Sequence, residues 1–134
     1  MAREIDHQKK EPTPQELESW LDALIDDNAL IVVEGKRDKL ALVELGIDKQ
    51  RIVTINKPLF AIVEFVAENC KRVILLTDLD KEGRKLYHVL KRDLVNHGVK
   101  VDMFFRAFLI KNTSLCCIEG LKQYIRRRTQ SDSS

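Results

Sequence analysis

No apolar run in this 134-residue sequence exceeds five residues, so no segment is long enough to span a bilayer as a helix. The amino-terminal stretch is charged and lacks the apolar centre of a secretory leader. Cysteine is scarce as well. Cys70, Cys116 and Cys117 make an odd number with no Cys-x-x-Cys spacing, which argues against a disulfide framework and a zinc ribbon and for reduced thiols. Five glycines and three prolines are too few for a low-complexity or collagen-like chain. These absences together lead us to expect a cytoplasmic protein with no membrane association.

What is present is a globular balance, 44% apolar with 33% charged residues, and a length suited to one ordinary domain. The net charge of +2 conceals an asymmetry. Residues 1–28 hold eight acids and three bases, whereas residues 29–134 hold twenty bases and thirteen acids. A basic body favours polyanionic partners, nucleic acid first among them.

Along the chain, residues 1–12 read as a polar, poorly ordered lead-in. Thr13 with Glu16 forms a capping box and Pro14 takes the first helical position, so a helix is expected over 13–27. Its stripe of Leu17, Trp20, Leu21, Leu24 and Ile25 is expected to pack Trp20 on the protein's own core. Residues 29–33 form an apolar strand that delivers Glu34 and Gly35. A helix over 36–45 follows, closed by Gly46, with either Leu40 and Val43 or Leu42 and Leu45 turned inward. Residues 51–55 are a second, β-branched strand, and Pro58 opens a helix to Asn69 with Leu59, Ile62, Val63 and Val66 on its buried side. Residues 73–77 are a third strand. The helix over 81–97 turns Leu86, Val89, Leu90 and Leu94 inward, and His97 with Gly98 caps its end. Strands are expected at 99–104 and, shorter, at 108–110. A basic helix over 114–128 is expected to bury Cys116 and Cys117 and to end in Arg126, Arg127 and Arg128, which are either a solubilising terminus or an RNA contact, followed by a disordered tail over 129–134. Residues 13–128 thus read as a single domain. Strands alternating with helical crossovers predict an α/β fold with a mainly parallel four-stranded sheet and helices on both faces.

The chemistry gathers at two strand ends. Val73-Ile-Leu-Leu-Thr-Asp-Leu-Asp-Lys-Glu-Gly83 runs a buried strand into Asp78 and Asp80, which an extended backbone would point to one side. In isolation an Asp-x-Asp pair is most often a helix cap or an Asx-turn. In a parallel sheet, however, all carboxyl ends share one edge, so Glu34 can meet a pair 44 residues away. Three carboxylates there can hold a hard divalent cation through oxygen. Gly35 and Gly83 permit close backbone approach, and the helix beginning near Lys81 offers N–H groups to a phosphate. Lys36, Arg37, Lys81, Arg84 and Lys85 flank the acids and could either neutralise phosphates or be solvated helix faces. Tyr87 and the histidines read as packing and capping residues.

The pair Val33-Glu-Gly-Lys-Arg-Asp38 and Thr77-Asp-Leu-Asp-Lys-Glu-Gly83, on this frame, resembles the two signature motifs of Toprim domains over about residues 29–104. These are the metal-binding modules of topoisomerases, primases, certain nucleases and recombination proteins, and the 5S ribosomal RNA maturase. The Glu-Gly-Lys-x-Asp form looks closest to the maturase and to small stand-alone Toprim proteins of archaea and bacteria. The resemblance implies that Asp78 and Asp80 coordinate Mg2+, with Mn2+ as an alternative ion. It implies that Glu34 acts as general acid/base or further ligand, and that Glu82 matches an additional glutamate of type IA topoisomerases. Arg84 stands where those enzymes carry another acid, and there is no room for the domain that bears their nucleophilic tyrosine. Two readings follow: a Mg2+-dependent nuclease on structured RNA rather than DNA, or a non-catalytic metal- and nucleic-acid-binding module that docks on a ribonucleoprotein or replication assembly. A receiver-like phosphoacceptor domain fits less well, because it expects an acid pair after the first strand, where only Glu34 stands before Gly35.

Overall fold

The computed structural model describes residues 11–130. The lead-in expected over 1–12 and the tail expected over 129–134 therefore lie mostly outside the described residues. The exceptions correct those readings. Pro12 is buried, its carbonyl accepting from Arg128, Glu11 accepts from the Tyr124 hydroxyl, and Thr129 and Gln130 are helical.

The elements run α1 (Pro14–Asp26), β1 (Leu30–Val33), α2 (Lys36–Glu44), a 3-10 turn at Lys49–Arg51, β2 (Ile52–Thr54), α3 (Leu59–Asn69), β3 (Arg72–Leu75), α4 (Lys81–Asn96), β4 (Lys100–Val101), α5 (Phe105–Asn112), a second 3-10 turn at Ile118–Gly120 and α6 (Leu121–Gln130). All four strands are parallel, in the order β2-β1-β3-β4. This is the expected α/β sheet. The order reverses between β1 and β3, so a crevice opens beyond the carboxyl ends of these two strands, where ligands of open α/β sheets bind.

Alternation along the strands divides the core in two. Ile31, Val33, Ile74 and Leu76 face α1, α2, α5 and α6, while Val32, Val73 and Leu75 face α3 and α4. Both faces are covered, which is why β1 and β3 read as near-continuous apolar runs. α1 begins with the expected capping box, Thr13 and Glu16 exchanging bonds of 2.8 and 3.0 Å. Its Trp20 packs into the core edge-on to Phe105, and its indole N–H donates to the Phe105 carbonyl at 3.1 Å. On α2 the choice falls to Leu42, fully buried, since Leu40 is 55% exposed. On α4, Tyr87 rather than Val89 joins Leu90 and Leu94 inside.

The structure corrects the carboxyl-terminal third. The strand expected over 99–104 shrinks to two residues because Asp102 accepts the N–H groups of Phe104 and Phe105, both at 2.9 Å, and turns the chain into α5. Phe108, Leu109 and Ile110, expected as a fifth strand, are the middle of that helix, with Phe105 and Leu109 inward at helical spacing. The helix expected from 114 starts only at Leu121. The residues ahead of it are extended and then form the second 3-10 turn, leaving Cys116 exposed and Cys117 half-buried instead of in the core.

Candidate functional site

β1 and β3 lie side by side, Leu30 opposite Val73 and Val32 opposite Leu75, so they end level with each other. Glu34 and Asp78 consequently meet: Oε2 of Glu34 accepts the Asp78 backbone N–H at 2.9 Å. Asp78 in turn uses Oδ1 to accept the N–H of Ile118 at 3.1 Å, and the Leu79 N–H donates to the Cys116 carbonyl at 2.9 Å. The Asp78-Leu79-Asp80 loop is thus stitched to β1 on one side and to residues 116–118 on the other.

Asp80 caps α4, its Oδ1 accepting the Gly83 N–H at 2.8 Å. Gly83 folds back tightly over the loop. A Cβ on Gly83 would stand 1.9 Å from the Asp78 carbonyl oxygen, a separation that no side chain permits, and Thr77 Oγ1 closes the turn by donating to the Gly83 carbonyl at 2.8 Å. Gly35 differs: its backbone is extended and a Cβ would find nothing nearer than 3.9 Å.

Two residues of this neighbourhood escaped the sequence reading. Asp38, only 7% exposed, accepts the Gly35 N–H at 3.0 Å and holds the turn that presents Glu34. It was visible as the last residue of the first motif. Arg106, 5% exposed, comes from α5 and reaches beneath the acid loop. Its Nε donates to the Thr77 carbonyl at 3.2 Å and its Nη2 to the Asp78 carbonyl at 2.7 Å, while the guanidinium lies 4.7 Å from the centre of the Tyr87 ring. Nothing local in the sequence around residue 106 marks it.

The electrostatics show carboxylates crowded together. Burial raises the pKa of Glu34 above the ordinary glutamate value; the hydrogen bond from Asp78 works against this, and the negative charges of Asp78, Asp38 and Asp80 add to it. Burial likewise raises Asp38, helped by Asp78. A carboxyl with a raised pKa stabilises the fold fully below its unfolded-state pKa, and that contribution is lost as pH rises through the folded-state value. At neutral pH the cluster therefore works against itself, a cost that a bound cation would remove. Arg106 offsets part of this charge. Its own pKa is lowered by burial, and Tyr87, Glu34 and Asp78 oppose that shift.

The donor set, all carboxylate oxygen, suits a hard divalent ion, and Asp78 and Asp80 each keep one oxygen free of the backbone bonds described. Among the described residues, no three His, Cys, Asp or Glu side chains converge as a ready-made cage. Magnesium does not require one, since it takes one or two carboxylates and completes its shell with water and phosphate oxygen. Glu82 points to solvent, 82% exposed, and pairs with Lys85 at 3.8 Å. Lys36, Arg37, Lys81, Arg84 and Lys85 are all exposed around the acids. Of the terminal arginines, Arg126 and Arg127 are exposed and Arg128 is held against Pro12.

The Toprim domain model matches residues 28–105, which contain both acid-bearing strand ends. A UPF0292 protein of Methanocaldococcus jannaschii is 37% identical over 101 residues, covering 73% of this chain and 79% of its own length. A UPF0292 protein of Pyrococcus abyssi is 36% identical over 85 residues, covering 63% of this chain and 64% of that protein. Among solved structures, a small putative protein from Aquifex aeolicus superposes with a TM-score of 0.72 at 34% identity, over 79% of this chain and 98% of that one. Among the described residues no helix is long and apolar enough to cross a membrane.

Proposed function

The chain belongs to the Toprim domain family, whose members do metal-dependent work on nucleic acids, and from that premise we propose that it is a Mg2+-dependent nuclease of the cytoplasm acting on structured RNA. The observation that carries this reading is the meeting of Glu34 with Asp78 at the switch point of the sheet. Asp78 and Asp80 would hold the ion, with Glu34 as a further ligand or as the proton carrier. Bound there, magnesium supplies Lewis-acid charge to a phosphodiester oxygen. Glu34 is suited to proton transfer by its position, its carboxylate held at the end of β1 on the Asp78 N–H beside the two metal-binding candidates. Asp38 and Arg106 fix the two backbone turns, so that both acids are oriented before any substrate arrives. Lys81, Arg84 and Lys85, on the first turns of α4, supply positive charge for the phosphates beside the cleaved bond.

Asp80→Asn separates chemistry from folding, because Asn caps a helix about as well as Asp while removing the charge. Incubated with total RNA and MgCl2, the wild-type protein should produce fragments on a denaturing gel, and Asp80→Asn should be slower by about a hundredfold or more. Undiminished cleavage by the variant would defeat the mechanism. A second reading, a non-catalytic module that binds metal and nucleic acid on a larger assembly, is favoured by the commitment of one Asp80 oxygen to its own helix. It would appear as salt-sensitive RNA binding with no scission at stoichiometric protein.

A further inference from the structure

A groove lined largely by residues outside the two motifs is linked to the acid loop through the second 3-10 turn. Residues of α2 and α6 line it together with Glu119 of the second 3-10 turn, with a cavity volume of about 580 Å3. Arg37 from α2 and Arg126 from α6, 89 positions apart in sequence, line the same space. The 3-10 turn joins groove and site physically. Ile118 donates its N–H to Asp78 at 3.1 Å, and the next residue, Glu119, lies 3.8 Å from Arg37. A second depression adjoins the groove, sharing Gln123 and Arg126 with it and adding Arg127.

We propose that this groove is where a nucleic-acid strand lies as it enters or leaves the acid cluster, its phosphates on Arg37, Arg126 and Arg127. The inference rests on the nuclease reading above and adds the path of the strand. The charge arrangement supports it. Arg126 has no acidic partner among the described residues. Arg37 and Glu119 are both largely exposed, so their ion pair is weak and a phosphate can replace it. Lys122, by contrast, is held by Glu44 at 2.5 Å and contributes less. Leu40, 55% exposed between these cations, offers an apolar contact for a base. α6 lies wholly outside the matched residues 28–105, so this wall of the groove is supplied by the chain's own carboxyl-terminal segment.

The test is fluorescence-anisotropy binding of a labelled, mixed-sequence 20-nucleotide single-stranded RNA, in EDTA so that cleavage cannot interfere, as a function of KCl. Arg37→Gln/Arg126→Gln should weaken binding roughly tenfold and flatten the log–log salt slope by about 1.4, the share of two phosphate contacts on a single strand. Lys71→Gln/Lys100→Gln removes equal charge near the amino ends of β3 and β4, away from the acids, and should leave both quantities near wild type. Wild-type affinity and slope in the groove variant, or equal losses in the control, would overturn the groove while leaving the nuclease reading standing. Failure of the wild type to bind this strand even in low salt would also overturn the groove, while cleavage of total RNA in MgCl2 decides the nuclease reading separately.

Discussion

Gly83→Ala should unfold the acid loop, lowering the melting temperature by at least about 10 °C, the equivalent of roughly 3–5 kcal/mol in a domain of this size. The added Cβ would stand 1.9 Å from the Asp78 carbonyl oxygen and 2.4 Å from its carbonyl carbon, and both are backbone atoms that no rotamer change can move aside. Relief requires moving residues 78–83 apart. That breaks the Asp80 cap and the Thr77–Gly83 bond, each 2.8 Å long, and pulls Asp78 off Glu34. Gly35→Ala is the matched comparison. With no atom nearer to its Cβ than the Asp38 Oδ2 at 3.9 Å and an extended backbone, it should cost no more than about 1 kcal/mol. Thermal melts of the two variants, followed by circular dichroism, decide the matter, and equal losses would show that the close approach at Gly83 is not what fixes the loop.

Arg106→Gln comes next in expected size. Arg106 is 5% exposed, and its guanidinium satisfies two carbonyls, those of Thr77 and Asp78, at the point where β3 gives way to the acid loop. Its removal leaves those acceptors buried with poorer partners and takes away a positive charge that Glu34 and Asp78 feel. Each lost charge-assisted bond is worth about 1.5–3 kcal/mol, so a loss of roughly 3–5 kcal/mol is expected. Arg106→Lys restores the charge without the planar fork that reaches both carbonyls, and should recover less than half of the loss. Full recovery by lysine would mean that charge alone matters, and the orienting role assigned to the two hydrogen bonds would then be wrong.

The parallel sheet was legible because its strands are buried on both faces. Residues 30–33 and 72–75 are apolar nearly throughout, as strands covered on both faces are, and their short length and alternation with longer helical patterns separate them from the apolar runs inside α3 and α5. The convergence of Glu34 and Asp78 followed from topology, since both end strands that run the same way. Where local pattern and tertiary context disagreed, the reading failed. Phe108, Leu109 and Ile110 look like a strand in isolation, and the signal against it was the capping carboxylate of Asp102, six residues upstream. Arg106 was invisible because its role depends on carbonyls 28 and 29 residues away. The N–H of Ile118 that holds Asp78 carries no side-chain signature at all. Cys116 and Cys117 were expected inside on composition, and the extended segment before α6 places them at the surface and partway in.

The central claim is that the carboxylates beyond β1 and β3 bind a divalent cation, and titration of the metal-free protein with MgCl2 at neutral pH tests it most directly. Calorimetry on the wild type should show saturable binding. At ten times the dissociation constant the melting temperature should rise by a few degrees, the equivalent of about 1.4 kcal/mol. Asp80→Asn, its helix cap intact, should show neither effect. No saturable heat and no shift in the wild type, or the same response in both proteins, would contradict the account.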